Sequence, residues 1–195
     1  FRGTLPTTPS GSGVSVETRL LEGELIPTLC GLARASDLIV VGKKGRFRAA
    51  GIGSATRSLV TRAPAPVMIV SLPFSPLRRV LGVFENSDAG RKAVGLAKEL
   101  AAQTGWPLTI LAVAGHGAEL PRAEAMAREL AGGSPVVPMR GAADEAGAIE
   151  QAAHEARDAL LVMGAYAGSW LHQAFFGSTA PRALKDVGAP VVLAH

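Results

Sequence analysis

The feature that most constrains the fold of this chain is an internal repeat. Leu38-Ile-Val-Val-Gly42 is answered by Leu160-Leu-Val-Met-Gly164, and Gly53-Ser54 by Gly177-Ser178. Ala65-Pro-Val-Met-Ile-Val70 is answered by Ala189-Pro-Val-Val-Leu-Ala194. Gly53 and Pro66 are 13 residues apart, and so are Gly177 and Pro190. A unit of strand, glycine-bearing loop, helix and strand is therefore written twice. Such units close through right-handed crossovers and specify a parallel sheet with helices packed on it.

The periodicity fills in the elements around these blocks. Thr4–Gly13 reads as a loop and Val14–Thr18 as a short alternating strand. A helix over Glu24–Ala33, a buried strand at Leu38–Val41, a helix over Ala55–Arg62 and a strand at Val67–Val70 follow. Ser71–Pro76, with two prolines, reads as a linker. Beyond it come strands at Arg79–Phe84, Leu108–Val113, Pro135–Met139, Ala159–Met163 and Pro190–Leu193. Helices over Ala89–Thr104, Ala118–Ala131, Asp144–Arg157 and Thr179–Lys185 alternate with them. The repeats are unequal. Gly164 is preceded by room for three further strands and helices, whereas Gly42 is preceded by one of each. Residues 1–72 are thus expected to be the back half of a first domain, 73–76 a linker, and 77–195 a complete second domain.

Composition narrows the function. With 48% hydrophobic residues the chain can bury a core, and with only 5% aromatics that core is aliphatic. The apolar runs fall far short of the roughly 20 residues of a membrane span, so a cytoplasmic protein is expected. The single cysteine, Cys30, lies in a helical pattern and reads as a small core side chain. The charge of +4 is concentrated early. Up to Pro76 there are nine Lys and Arg against four Asp and Glu, and afterwards eleven against twelve. Lys43, Lys44, Arg46 and Arg48 form a cationic loop suited to an anion. Phe47 alone is interleaved with them, which argues against a nucleic-acid surface. His116, His154, His172 and His195 have no metal-type spacing, Ser178 has no evident base, and no enzymatic constellation is apparent.

The second glycine loop carries the chemistry. Gly164 ends a strand and Gly177-Ser178 opens a helix, whose free N–H groups and dipole suit phosphate oxygens. Gly164, Ala165-Tyr166, Ala167, nine residues and Gly177-Ser178 resemble the loop motif of the universal stress protein family. Pro190-Val191 and the strand end Val80-Leu-Gly-Val-Phe-Glu85-Asn86-Ser87 fit the same resemblance. It extends over Leu77–His195 completely and over about Gly13–Ser71 as the back half of another copy. The resemblance implies an α/β fold with an open five-stranded parallel sheet in the order 3-2-1-4-5 and helices on both faces.

It also implies an adenine nucleotide site. Val83, Phe84 and Val113 would line the base, and Glu85 would stand near the ribose and adenine in place of the family's Asp. Met163 and Gly164 would lie under the ribose, and Ala167, Gly168, Gly177, Ser178 and Thr179 beside the phosphates. ATP, with Mg accompanying it, is the implied ligand. Two residues depart from the pattern. Glu85 is one methylene longer than Asp. Ala167 replaces a glycine, and its methyl group would strain any positive φ there. In the first repeat Gly42, Lys43, Lys44, Gly45, Gly53 and Ser54 form a shorter loop, expected to hold an anion but not a whole nucleotide.

The expected protein is therefore a nucleotide binder or sensor acting in stress response, not an enzyme beyond slow ATP hydrolysis. It would assemble through its last strands, as a homodimer or an intramolecular pseudo-dimer. The alternatives are a scaffold of the same fold without ATP and, third, an adenylating enzyme of a related fold.

Overall fold

The computed structural model describes residues 15, 17–42, 54–70, 76–114, 117–139, 158–165 and 189–195. They form α1 (Leu25–Ala33), β1 (Ile39–Gly42), α2 (Ser54–Arg62), β2 (Val67–Val70), β3 (Arg79–Phe84) and α3 (Asp88–Thr104). These are followed by β4 (Leu108–Val113), α4 (Leu120–Ala131), β5 (Val136–Met139), β6 (Ala159–Gly164) and β7 (Val191–Ala194). All seven strands join one sheet in the order β1-β2-β7-β6-β3-β4-β5. Neighbours are parallel except β2 and β7, which are antiparallel.

The expectation of an open five-stranded parallel sheet in the order 3-2-1-4-5, present as two repeats with the first incomplete, is corrected by this arrangement, in which the described strands form one mixed sheet of seven. The physical reason is the apolar edge of β2. Its Val67 and Ile69 are buried, and an open edge of that kind is satisfied by pairing with β7. From Leu77 onward the strands stand as β5-β4-β3-β6-β7, and β2 and β1 extend the sheet beyond β7. No strand forms at Ser15, Glu17 and Thr18, where one was expected at Val14–Thr18. These residues are exposed, and alternation makes a strand only where one face can be buried. The helices expected at Asp144–Arg157 and Thr179–Lys185 lie outside the described residues.

Alternation along each strand divides the core between two faces. Leu81, Val83, Leu111, Val113, Leu161, Met163, Val191 and Leu193 point to one face, where α2 adds Leu59, Val60 and Ala63. Ile26, Leu29 and Cys30 of α1 pack against the same cluster. The opposite face carries Val80, Leu160, Val162 and Val192 under Ala93 and Ala97 of α3. Phe84, Ile110 and Ala112 lie there too, under Val94 and under Ala123, Ala127 and Ala131 of α4. Alanines on both helices let them sit close to the sheet. Gly82 completes that fit, since a Cβ there would come within 3.0 Å of the Ala97 Cβ and 2.9 Å of Ile110 Cδ1. The helices stop where glycine takes up the left-handed conformation, Gly105 after α3 (φ 69°) and Gly132 after α4 (φ 60°).

The registers follow the sequence repeat. Ile39–Gly42 of β1 pair with Val67–Val70 of β2 residue for residue. The corresponding residues of β6 and β7 pair identically, Leu161 with Val191 through Gly164 with Ala194. The Ile39 N–H donates to the Pro66 carbonyl (2.9 Å), and the Leu161 N–H donates to the Pro190 carbonyl (3.0 Å). Across the β2–β7 seam Val67 faces Leu193, Met68 faces Val192 and Ile69 faces Val191. In the repeat Val67 corresponds to Val191, Met68 to Val192 and Ile69 to Leu193. Each residue thus meets the counterpart of the one that its own counterpart meets. This is the self-complementary register of a two-fold axis, here passing through Met68 and Val192.

Apolar burial dominates the seam. Val67, Ile69, Val191 and Leu193 are at most 6% exposed, and each such side chain contributes about 1.5–3 kcal/mol. By contrast, Arg79 and Asp158 form a half-exposed ion pair (2.8 Å) at the amino end of β3, of a kind that adds at most about 1 kcal/mol. Ile69→Lys, which buries an ammonium opposite Val191, is expected to destabilise the chain by about 3 kcal/mol or more. Urea unfolding checks this, and an unchanged midpoint would remove the seam from the stabilising core.

Candidate functional site

β3, β4, β6 and β7 run in one direction, so their carboxyl ends share one edge of the sheet. β3 leads through Glu85, Asn86 and Ser87 directly into α3. Ser87 caps that helix, accepting from the Gly90 N–H (3.0 Å), and Asp88 adds an acidic group to the first turn. The Ser87 hydroxyl also donates to Glu85 Oε1 (2.9 Å). The Ser87 N–H donates to the Glu85 carbonyl (2.7 Å). Glu85 is 6% exposed, so a carboxylate is held inside the fold at the point where β3 gives way to α3. Gly90 permits this, because any Cβ there would collide with the Glu85 carbonyl oxygen.

Gly164 ends β6 against the same helix start. A Cβ at Gly164 would lie 2.6 Å from the Ala89 Cβ and 2.8 Å from the Ala89 carbonyl carbon. Glycine is required here by close approach rather than by a positive φ. The Ala165 N–H then donates to the Ala194 carbonyl (2.7 Å), tying the end of β6 to the end of β7. His195 follows β7 on this edge. Burial, and then the positive charge of Lys92 on α3, hold its imidazole below the ordinary value of 6.5.

The structure brings some of the expected site residues together and separates others. Val83, Val113 and Met163 share one face of the sheet, and all three are buried. Phe84 does not join them. It points to the opposite face, into the core beneath α3 and α4, because successive strand residues alternate. Glu85 and Gly164 lie at the carboxyl edge, one at the start and the other beside the first turn of α3. Ala167, Gly168, Gly177, Ser178 and Thr179 lie outside the described residues. Sequence reading did not single out Ser87 as the partner of Glu85. The signal was present, a serine followed by an acidic residue at a helix start.

Gly42 stands on the other side. β1 and β2 run opposite to β7, so Gly42 ends its strand at the edge away from Gly164. There the Thr56 hydroxyl of α2 donates to the Gly42 carbonyl (3.4 Å), joining strand end to helix start. Ser54 begins α2. Lys43, Lys44, Gly45 and Gly53 lie outside the described residues. No three of the described His, Cys, Asp and Glu side chains are grouped to hold a metal. No described helix is long and apolar enough to cross a membrane.

Residues 7–71 match the model of the Universal stress protein family. Universal stress protein Rv1996 of Mycobacterium tuberculosis is 30% identical over 99 residues, which are 50% of this chain and 31% of that protein. Universal stress protein Mb2019 of Mycobacterium bovis matches to the same extent. The matched stretch therefore spans about a third of these relatives' length. A solved universal stress protein from Archaeoglobus fulgidus aligns with 87% of this chain and 66% of its own, with TM-score 0.64 and 20% identity. The functionally unknown protein PA1789 from Pseudomonas aeruginosa aligns with 89% of this chain and 68% of its own, with TM-score 0.56 and 18% identity. At these identities the likeness is one of fold.

Two outcomes follow from the edge geometry. Ser87→Ala removes a cap and the hydroxyl on Glu85, and is expected to cost about 1–2 kcal/mol in thermal or urea unfolding. Its magnitude should fall well below that of Gly90→Val, which cannot keep the Glu85 carbonyl in place. His195 binds its proton more readily in the unfolded chain than in the folded one. Its contribution to stability is therefore complete above the unfolded value of 6.5 and is lost as the pH falls from there toward the lower folded value. Unfolding free energies measured from pH 8 down to pH 5 should show this slope, and His195→Asn should reduce it.

Proposed function

We propose that this chain is a tandem universal stress protein whose second unit, Leu77–His195, binds an adenine nucleotide. The observation that carries this reading is the reversal of strand order at β3. The chain moves outward from β3 to β4 and β5, then returns to the other side of β3 as β6. In open α/β sheets ligands bind outside the carboxyl ends of the strands at such a switch point. Glu85 and Gly164 stand there. The matching registers of β1–β2 and β6–β7 support the tandem reading, and so does the position of the family match in the N-terminal unit.

In this reading Glu85 accepts a hydrogen bond from a ribose hydroxyl, and Val83, Val113 and Met163 form the apolar side of the base site. Ala167, Gly168, Gly177, Ser178 and Thr179 would face the phosphates of ATP, with Mg accompanying them. A buried carboxylate with an apolar shelf beside it fits the nucleoside end of such a ligand. The output is binding rather than turnover, with slow ATP hydrolysis at most. The proposed setting is the cytoplasmic stress response, with the β2–β7 seam acting as a pseudo-dimer contact and the chain able to dimerise further. A specific observation favours a second reading, an interaction scaffold without ATP. Val83, Val113 and Met163 are at most 2% exposed, and Glu85 is already engaged by Ser87.

Calorimetric titration separates the two. With nucleotide binding, ATP gives saturable heat, and Ala167→Gly tightens it by up to about 1 kcal/mol by relieving backbone strain. Gly177→Val abolishes it by placing a branched side chain in the phosphate approach. Glu85→Gln weakens adenosine and ATP alike while keeping an acceptor for Ser87. No heat from ATP in either the native chain or Ala167→Gly, with circular dichroism unchanged, leaves the scaffold reading standing.

A further inference from the structure

The outward faces of the helices are not alike. α3 exposes Arg91, Lys92, Lys98 and Glu99, and α4 exposes Arg122, Arg128 and Glu129. α1 reads Leu25-Ile-Pro-Thr-Leu-Cys-Gly-Leu-Ala33 and contains no charge. A helix with no charged face is ordinarily buried, yet Leu25 is 58% exposed. Leu25 borders an open cavity of about 370 Å³ between α1 and α2. Both helices pack on the same core cluster, so both walls of the cavity belong to one unit of the fold.

The lining is apolar, with charges of both signs. Leu25, Ile26 and Pro27 supply one wall, and Ile26 also packs against the core. Ala55, Ser58 and Arg62 supply the other. They stand at i, i+3 and i+7 on one face of α2 and span about 10 Å along it. Glu24, the residue before α1, completes the lining. Its side chain makes no cap hydrogen bond to the helix start. Among the described residues, neither Glu24 nor Arg62 enters an ion pair. A carboxylate and a guanidinium thus line one cavity without pairing with each other.

We propose that this cavity binds a small zwitterion with an aliphatic body, the chemistry of an aliphatic α-amino acid. The ligand carboxylate meets the Arg62 guanidinium, whose planar fork suits two parallel hydrogen bonds, and the Ser58 hydroxyl adds a further donor. The ligand ammonium meets the Glu24 carboxylate. The aliphatic side chain lies on Leu25, Ile26 and Pro27, and the small Ala55 leaves room for it. Ligand cavities start at roughly 300 Å³ and are mostly apolar with a few placed polar groups, a description that this one fits. A ligand of one charge leaves the other charge of the cavity unanswered, and that difference selects the zwitterion. The cavity shares no residue with the proposed nucleotide site, and the inference does not rest on nucleotide binding.

The test titrates the full chain with L-leucine and follows the methyl resonances of Leu25 and Ile26. These are expected to shift saturably, with Leu120 on α4 unchanged. Two analogues each lack one charge: 4-methylpentanoate has no ammonium and 3-methylbutylamine no carboxylate. Both should bind the native chain about tenfold more weakly than leucine, or worse. In Glu24→Gln the advantage of leucine over 4-methylpentanoate should vanish, and in Arg62→Gln its advantage over 3-methylbutylamine should vanish. Ala55→Leu, which fills the cavity, should abolish the shifts from all three compounds. The analogue series on the native chain keeps the test decisive if a variant disturbs the fold. Absence of saturable shifts with leucine, or equal affinity for the three compounds, overturns the proposal. Shifts that persist in a folded Ala55→Leu chain place the ligand elsewhere and overturn it too.

Discussion

The structure depends on the antiparallel pairing of β2 with β7. Among the described residues, two strands of four residues and two helices of nine precede Leu77, and this pairing is what sets them on the rest of the sheet. Paired, Val67 and Ile69 join one continuous core with Val191, Leu193, Leu161 and Met163, and α2 closes over it. The seam also fixes direction. Because it is the one antiparallel contact among the described strands, it turns β1 and β2 against the others and sets Gly42 and Gly164 at opposite edges of the sheet. A one-residue slip would reverse every side chain of β2 between the two faces, so the register is strongly specified.

The fold was legible wherever local pattern and burial agree. Short aliphatic runs bounded by glycine and proline marked β1, β2, β6 and β7, and helical periodicity marked α3 and α4. Val14–Thr18 failed because alternation alone does not say whether anything lies beneath. The strand count failed for a different reason. Assembly through the last strands was expected between copies or within the chain, and the pairing of β2 with β7 lies within it, so the described strands on both sides count in one sheet.

The site was legible in part. Gly164 was recognised as a loop glycine, but its requirement comes from the approach of Ala89 on α3, a contact that no spacing rule contains. Glu85 was placed near the ligand, yet its bond to Ser87 binds it first to the architecture of the helix start. Phe84 was grouped with Val83 and Val113 on the strength of the family resemblance. On a strand, neighbours look in opposite directions, and Phe84 belongs to the packing under α4.

The axis through Met68 and Val192 has a consequence for how such a seam can change over time. In an assembly of two identical chains, a residue on the axis must face its own copy, and every substitution there arrives on both sides together. Within one chain the two halves are encoded separately. Here a long, flexible thioether meets a short, branched side chain across the axis. That unequal pair is closed to any homodimer. The seam can therefore refine its packing one side at a time, and each step that departs from symmetry commits the two halves more firmly to each other and away from copies of themselves.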